Sequence, residues 1–149
     1  TKQWPEEHFS ALIDLLVEDK EISISCDTIQ PMSVEGDRVR LKQVVVNLLD
    51  NAIKYTPPKG VIQLRVHGVN GHAILEVRDN GMGIPPEALP HVFERFYRVD
   101  QTRAGGSESA GLGLSIVKSI CTAHGAEVEA QSSLNHGSCF LVRLPVSKT

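Results

Sequence analysis

The feature that most constrains this chain is a pair of runs, Val61 to Val69 and Ala73 to Asp79, in which apolar residues alternate around Asn70-Gly71. Alternation at a period of two places successive side chains on opposite faces of a strand, and Asn-Gly tolerates the positive φ of a two-residue turn. An antiparallel hairpin is therefore expected. Other runs carry helical spacing. Pro5 with Glu6 and Glu7 opens a pattern of Phe9, Leu12, Ile13, Leu16 and Val17, which predicts a helix with one packing face. Asp37 is placed to cap a second and longest helix, running to about Tyr55 and closed by Thr56-Pro57-Pro58, because proline has no N–H to continue it. A third is predicted from Gly111 to His124 through Leu114, Ile116, Val117, Ile120 and Cys121, with Gly125 as a left-handed C-cap. Ile22, Ile24 and Cys26 alternate with Ser23 and Ser25, and Met32 to Glu35 precedes Gly36, so two short half-buried strands are expected there. Val128 and the run from Cys139 to Leu144 supply the last strands.

Composition narrows the function classes. With 149 residues, 41% hydrophobic and 22% charged, the chain can bury one ordinary core. Fifteen basic against eighteen acidic residues give a net charge of -3, which leaves no electrostatic footprint for a nucleic-acid backbone. The longest apolar run is Cys139 to Val142, far short of the roughly 20 residues that cross a bilayer. No membrane contact by this domain is expected. Thr1 is not an initiator Met and no signal peptide is visible, so the chain reads as part of a longer protein. Cys26, Cys121 and Cys139 lack zinc-binding spacing and read as reduced thiols, two of them in apolar settings. The six histidines contain no i, i+4 pair, which argues against a histidine metal site.

Two stretches read as loops. Gly81, Gly83, Pro85, Pro86 and Pro90 follow Asp79 in a segment too long for a plain connector. Arg98 to Ala110 holds Val99 as almost its only apolar side chain and is expected to be mobile. The glycines do not form the common phosphate loops. Gly106 and Gly111 have P-loop spacing, but Leu112 and Gly113 stand where Lys and Ser or Thr are needed. Neither Gly81-Met82-Gly83 nor Gly111-Leu112-Gly113 has the third glycine of a dinucleotide fingerprint, those positions being Pro86 and Ile116.

The long helix offers more. Gln43, Asn47, Asn51 and Lys54 share one face while Leu41, Val44, Val45, Leu48, Leu49 and Ala52 fill the others. Such a stripe is either a solvated face or a site, and two poor helix formers placed on it favour a site. Amide oxygens suit a hard cation, and a lysine suits phosphate. Asp79, ending a strand before a sharp glycine turn, can accept a hydrogen bond from an exocyclic amino group, although an Asp-Asn-Gly turn is also common in sheets. Gly111-Leu112-Gly113-Leu114 leads a polar loop into a helix start whose free N–H groups favour phosphate oxygens.

The order of these segments resembles the ATP-binding catalytic domain of bacterial sensor histidine kinases, a branch of the GHKL ATPases, over nearly the whole chain. Asn47 to Pro57 is similar to the N box, Asp79 to Ile84 to the first glycine box, Phe93 to Arg98 to the F box, and Gly111 to Leu114 to the second glycine box. Gly137 to Phe140 and Leu144-Pro145 resemble the closing strand. The resemblance implies an α+β fold, a two-layer sandwich of a mixed sheet with helices on one face, spanning residues 1–149. It implies Mg²⁺ at Asn51 with Asn47 beside it, phosphates at Lys54 and Arg98, and Tyr55, Asp79, Gly81, Gly83 and Ile84 around the base. Residues 98–110 would form a lid, and Gly111, Leu112, Gly113 and Leu114 would hold phosphate oxygens. The lid departs from the family pattern, with Ser109 where a glycine is usual and Ala110 directly before Gly111.

Asn47 carries mechanism. Hydrolytic relatives place a Glu there as general base, and an amide cannot accept that proton. The γ-phosphoryl is therefore expected to go to a histidine on a partner dimerisation and phosphoacceptor domain, and from there to a response regulator. None of the six histidines has the family's acceptor context, a His-Glu followed by Arg-Thr-Pro, so that domain is expected to be absent from this chain. The resemblance places the domain in the cytoplasm, with its parent in the bacterial inner membrane. The alternatives are a regulatory or degenerate nucleotide-binding module without transfer, and a serine kinase of the anti-sigma type; intact Asn51, Lys54, Asp79 and Arg98 argue against the first and the F box against the second.

Overall fold

The computed structural model describes residues 21–28, 34–97 and 113–146. Its elements, in chain order, are β1 (Ser23–Thr28), α1 (Arg38–Tyr55), β2 (Val61–Val69), β3 (His72–Asp79), a short 3₁₀ turn (Leu89–His91), α2 (Gly113–Ala123), β4 (Glu127–Ser133) and β5 (Gly137–Pro145). The strands form one five-stranded sheet in the order β1-β2-β3-β5-β4. β1 runs parallel to β2, and every other pair is antiparallel. The sheet is thus mixed and the fold α+β.

The expected hairpin forms. Val69 pairs with His72, and the two residues between them, Asn70 at φ 50° and Gly71 at φ 80°, supply the left-handed turn that matches strand twist. From that register, Ile62, Leu64, Leu75, Val77, Phe140 and Val142 point to one face and meet Val44, Leu48, Leu49, Val117, Ile120 and Cys121 of the helices in a single core. Both described helices therefore cover the same side of the sheet.

The helix ends are built as their residues dictate. Asp37 Oδ1 accepts from the Val39 and Arg40 amides at 3.0 and 3.3 Å, satisfying two donors of the first turn of α1. α2 ends in a left-handed Gly125 at φ 65°, where the Ala126 amide reaches back to the Cys121 carbonyl at 2.8 Å. His124 ties the two helices together: its Nε2 accepts the Asp37 amide at 3.0 Å, so Nδ1 carries the proton and donates to the Ile120 carbonyl at 2.9 Å.

On the face that neither described helix covers, Glu76 is the buried charge of the central strand. Burial pushes its carboxyl up, but the His67 hydrogen bond (2.7 Å) and charge, with Arg78 (3.4 Å) and Arg65 (4.0 Å), outweigh that and leave it below the usual glutamate value. Cys139 is buried beside it and its thiol donates to Glu76 at 3.8 Å; burial raises the pKa of that thiol, and that of Cys121 to about 11.

One expectation is described only in part and one is corrected. Of the expected strand from Met32 to Glu35 only Val34 and Glu35 are described, and Val34 makes one isolated antiparallel bridge to Val146 before the chain turns into the Asp37 cap. Cys26 is exposed rather than half-buried, near the end of an edge strand. The expected helix from Pro5 to Val17 and positions 32 and 33 lie outside the described residues.

Candidate nucleotide site

β3 delivers Asp79 to the covered face, because it follows Leu75 and Val77 at a period of two. The residue is 6% exposed. Its Oδ1 accepts the Gly81 amide at 2.9 Å and the Ser138 amide at 3.3 Å. Burial raises the Asp79 pKa, and these two amides only partly offset it. No buried side-chain oxygen or nitrogen among the described residues lacks a partner. Both bonds fall on Oδ1, so Oδ2 opens to the surface and can accept from a ligand.

The loop after Asp79 is held from three directions. Asn80 returns it to β2, its amide donating to the Val61 carbonyl at 3.2 Å and its Oδ1 accepting the Val61 amide at 2.8 Å. The Met82 amide donates to the Tyr55 carbonyl at 3.3 Å, which joins the loop to the end of α1. A Cβ on Gly81 would stand 2.3 Å from that same carbonyl, so only glycine permits the approach. Gly83, at φ 75°, would meet the Ser133 carbonyl at 2.3 Å. Here the Asn135 amide donates to the Met82 carbonyl at 2.7 Å and the Ile84 amide to Ser132 Oγ at 2.7 Å. Ile84 itself is buried in the core, while Met82 is exposed.

The polar stripe of α1 lies at the other side of the site. Asn47 Nδ2 donates to the Gly113 carbonyl at 3.3 Å, which brings the stripe against the first turn of α2 and leaves the Asn47 amide oxygen free as a ligand. Asn51 follows one turn later and is partly exposed. Lys54, partly exposed, sits 3.6 Å from Asp50 on its own helix. Gly113 begins α2 and a Cβ there would meet nothing within 4 Å, whereas Leu114 packs against the core. Phe93 stands edge-on to Phe140 at 6.0 Å, which anchors the segment from Phe93 to Tyr97 to the sheet. Phe96 is exposed, at φ 68°, under the Arg95 guanidinium.

Of the residues singled out from sequence, Asn47, Asn51, Lys54, Tyr55, Asp79, Gly81, Gly83, Ile84, Gly113 and Leu114 are described, and the contacts above join three of the four segments. Arg98, Gly111, Leu112 and residues 98–110 lie outside the described residues. Sequence reasoning missed Asn80, Ser132 and Ser138. A signal existed for Ser132, since Gln131-Ser132-Ser133 is polar throughout where a buried strand would be apolar. A groove of about 460 Å³ opens where β3, β4 and β5 end, lined by Arg78, Gln131 and Cys139 and also by Asp79, Ser132 and Ser138.

The described residues thus form a mixed sheet with both helices on one side and a buried carboxylate at the end of its central strand. The chain belongs to the histidine kinase-, DNA gyrase B-, and HSP90-like ATPase family, whose model matches residues 36–148. It is 42% identical over 109 residues to the Sensor protein SrrB of Staphylococcus aureus, covering 73% of this chain and 19% of that protein. The chain thus spans about a fifth of the length of the curated relatives it matches. The fold is similar to that of a mycobacterial sensor histidine kinase, MprB, with TM-score 0.82, 31% identity and 96% of each chain covered. It also resembles full-length ShkA in complex with AMPPNP, with TM-score 0.80, 28% identity and coverage of 96% and 29%. The expected family and fold are borne out.

Proposed function

We propose that this domain binds Mg-ATP and donates the γ-phosphoryl group to a histidine on a partner dimerisation and phosphoacceptor domain, which then serves a response regulator. The observation that carries this is Asp79: a buried carboxylate, one oxygen tied to two backbone amides and the other open, suits the exocyclic amino group of adenine. That the similar full-length ShkA is in complex with AMPPNP supports nucleotide binding. Tyr55, Gly81, Gly83 and Ile84 surround the base in this reading. Lys54, Arg98 and the Gly111 to Leu114 segment meet the phosphates, and residues 98–110 cover them.

The donor set fits magnesium. Mg²⁺ is typically held by one or two protein oxygens together with phosphate oxygens, and Asn51 with the free amide oxygen of Asn47 supplies that number. When bound, the ion neutralises charge on the transferring phosphoryl group. Asn47 holds no water as a base, so the phosphoryl group is kept for another acceptor. No described helix is long and apolar enough to cross a membrane; we place the domain on the cytoplasmic side of a parent protein in the inner membrane.

Two measurements test this. Calorimetric titration of Mg-ATP should show Asp79→Ala weakening binding by about 1 to 3 kcal/mol, and unchanged affinity removes the base-reading role. Incubation with labelled Mg-ATP and a folded phosphoacceptor domain from the same parent should give an acid-labile, base-stable product, reduced by Asn51→Ala or Arg98→Ala. Tight ATP binding with an acceptor that another kinase module labels, but this one never does, would refute transfer.

A further inference from the structure

We infer that Ser132 is a positioning residue that sets which base the site accepts, by holding the Ser138 hydroxyl in a single hydrogen-bonding role. The inference rests on the nucleotide-binding reading above. Ser132 lies on β4 opposite Ser138 on β5, and Ser138 in turn lies opposite Asp79 on β3. Three groups meet the Ser132 hydroxyl: the Ile84 amide at 2.7 Å, the Gly137 carbonyl at 2.9 Å and the Ser138 hydroxyl at 3.1 Å.

A hydroxyl has one proton and two lone pairs, so the assignment follows from the partners. The Ile84 amide can only donate. The Gly137 carbonyl can only accept, and it takes the one Ser132 proton. The contact with Ser138 must then run from Ser138 to Ser132, which commits the Ser138 proton away from Asp79. The end of the site beside Asp79 is left with acceptors: Asp79 Oδ2 and the lone pairs of Ser138. Such an end favours a 6-amino purine and disfavours a 6-oxo purine, whose oxygen would face acceptors only. The same hydroxyl ties the Gly81 to Ile84 loop to the sheet, with the Asn135 amide on the Met82 carbonyl as a second tie.

A loosened loop and a released proton have different signatures. Removing the Ser132 hydroxyl frees the Ser138 proton to turn toward the base and donate to a 6-oxo group, so the ratio of affinities changes. Loosening alone lowers both affinities together. Affinities of wild type, Ser132→Ala and Ser132→Thr should be measured by calorimetry with Mg-ATP and with the 6-oxo analogue Mg-ITP. Wild type should prefer ATP, S132A should lose about tenfold of that preference, and S132T, which keeps the hydroxyl, should restore it. A ratio in S132A within about twofold of wild type overturns the inference while leaving ATP binding intact. A wild type that binds neither nucleotide overturns the reading beneath it. Independently of how S132A folds, the Ile84 amide of nucleotide-free wild type should exchange with solvent roughly 100-fold slower than an unstructured peptide; exchange at the peptide rate also overturns the inference.

Discussion

Gly137 shows how tightly single residues are specified around Asp79. It stands at φ 98°, and a Cβ on it would lie 2.0 Å from the Asp79 carbonyl, so an alanine is strained and also collides with backbone. Gly137→Ala should lower stability by roughly 2 to 3 kcal/mol in urea unfolding. Gly113 is the internal control. Its Cβ position is open and its φ is not left-handed, so Gly113→Ala should leave stability unchanged or raise it by up to about 1 kcal/mol through helix propensity. Equal losses in both variants would mean that the close approach of β5 to β3 does not decide the requirement at Gly137. Neither difference is visible in a string of twelve glycines; each depends on which backbone lies opposite.

At the scale of elements, the helix pair is joined at its polar ends as well as through its core. Local chemistry made both ends legible: Asp37 before a helical run is a cap in any context, and Gly125 after Cys121 and His124 is a C-terminal stop. The link between the ends was not legible, because His124 reaches Asp37 across 87 residues. His124→Ala removes the acceptor of the exposed Asp37 amide, and the loss should be about 0.5 to 1.5 kcal/mol, that of an ordinary hydrogen bond. Amide exchange should quicken in the first turn of α1, and a melt identical to wild type would show that solvent replaces the imidazole at no cost. Of the expected strand from Met32 to Glu35, the described Val34 makes a single bridge to Val146, a pairing that a short apolar run before a glycine could not specify because it carries no information about which edge runs beside it.

At the scale of the whole molecule, the sheet face that neither described helix covers holds an acid-sensitive charge. Glu76 has a folded pKa below its unfolded value near 4.5, so the native state binds fewer protons and its contribution is present above that value. It is lost as pH falls through the lower folded pKa. Glu76→Gln should therefore flatten the acid limb of a stability-against-pH curve below about pH 4.5, and an unaltered acid limb would assign acid unfolding to other carboxylates. On the covered face, turnover is the expected weak point. With an amide at Asn47, phosphate release from ATP by the domain alone should stay far below the roughly 1 to 1,000 per second of ordinary enzymes. Brisk release, abolished by Asn51→Ala, would make water a natural acceptor and remove the argument from Asn47.

What could be settled from the chain alone was whatever is encoded within a few residues. The Asn70-Gly71 turn, the capped helix from Asp37, the stripe of Asn47, Asn51 and Lys54, and Asp79 at a strand end all follow from periodicity and turn chemistry, which act locally. The order of the segments was enough to identify the family. Only the tertiary structure decided how those segments meet. Ser132 takes the Ile84 amide across 48 residues, Asp79 takes the Ser138 amide across 59, and Asn47 reaches Gly113 across 66. No local pattern specifies such pairs. They exist because the sheet order places β5 between β3 and β4, and because burial of one apolar face fixes the register that sets Asp79, Ser138 and Ser132 side by side.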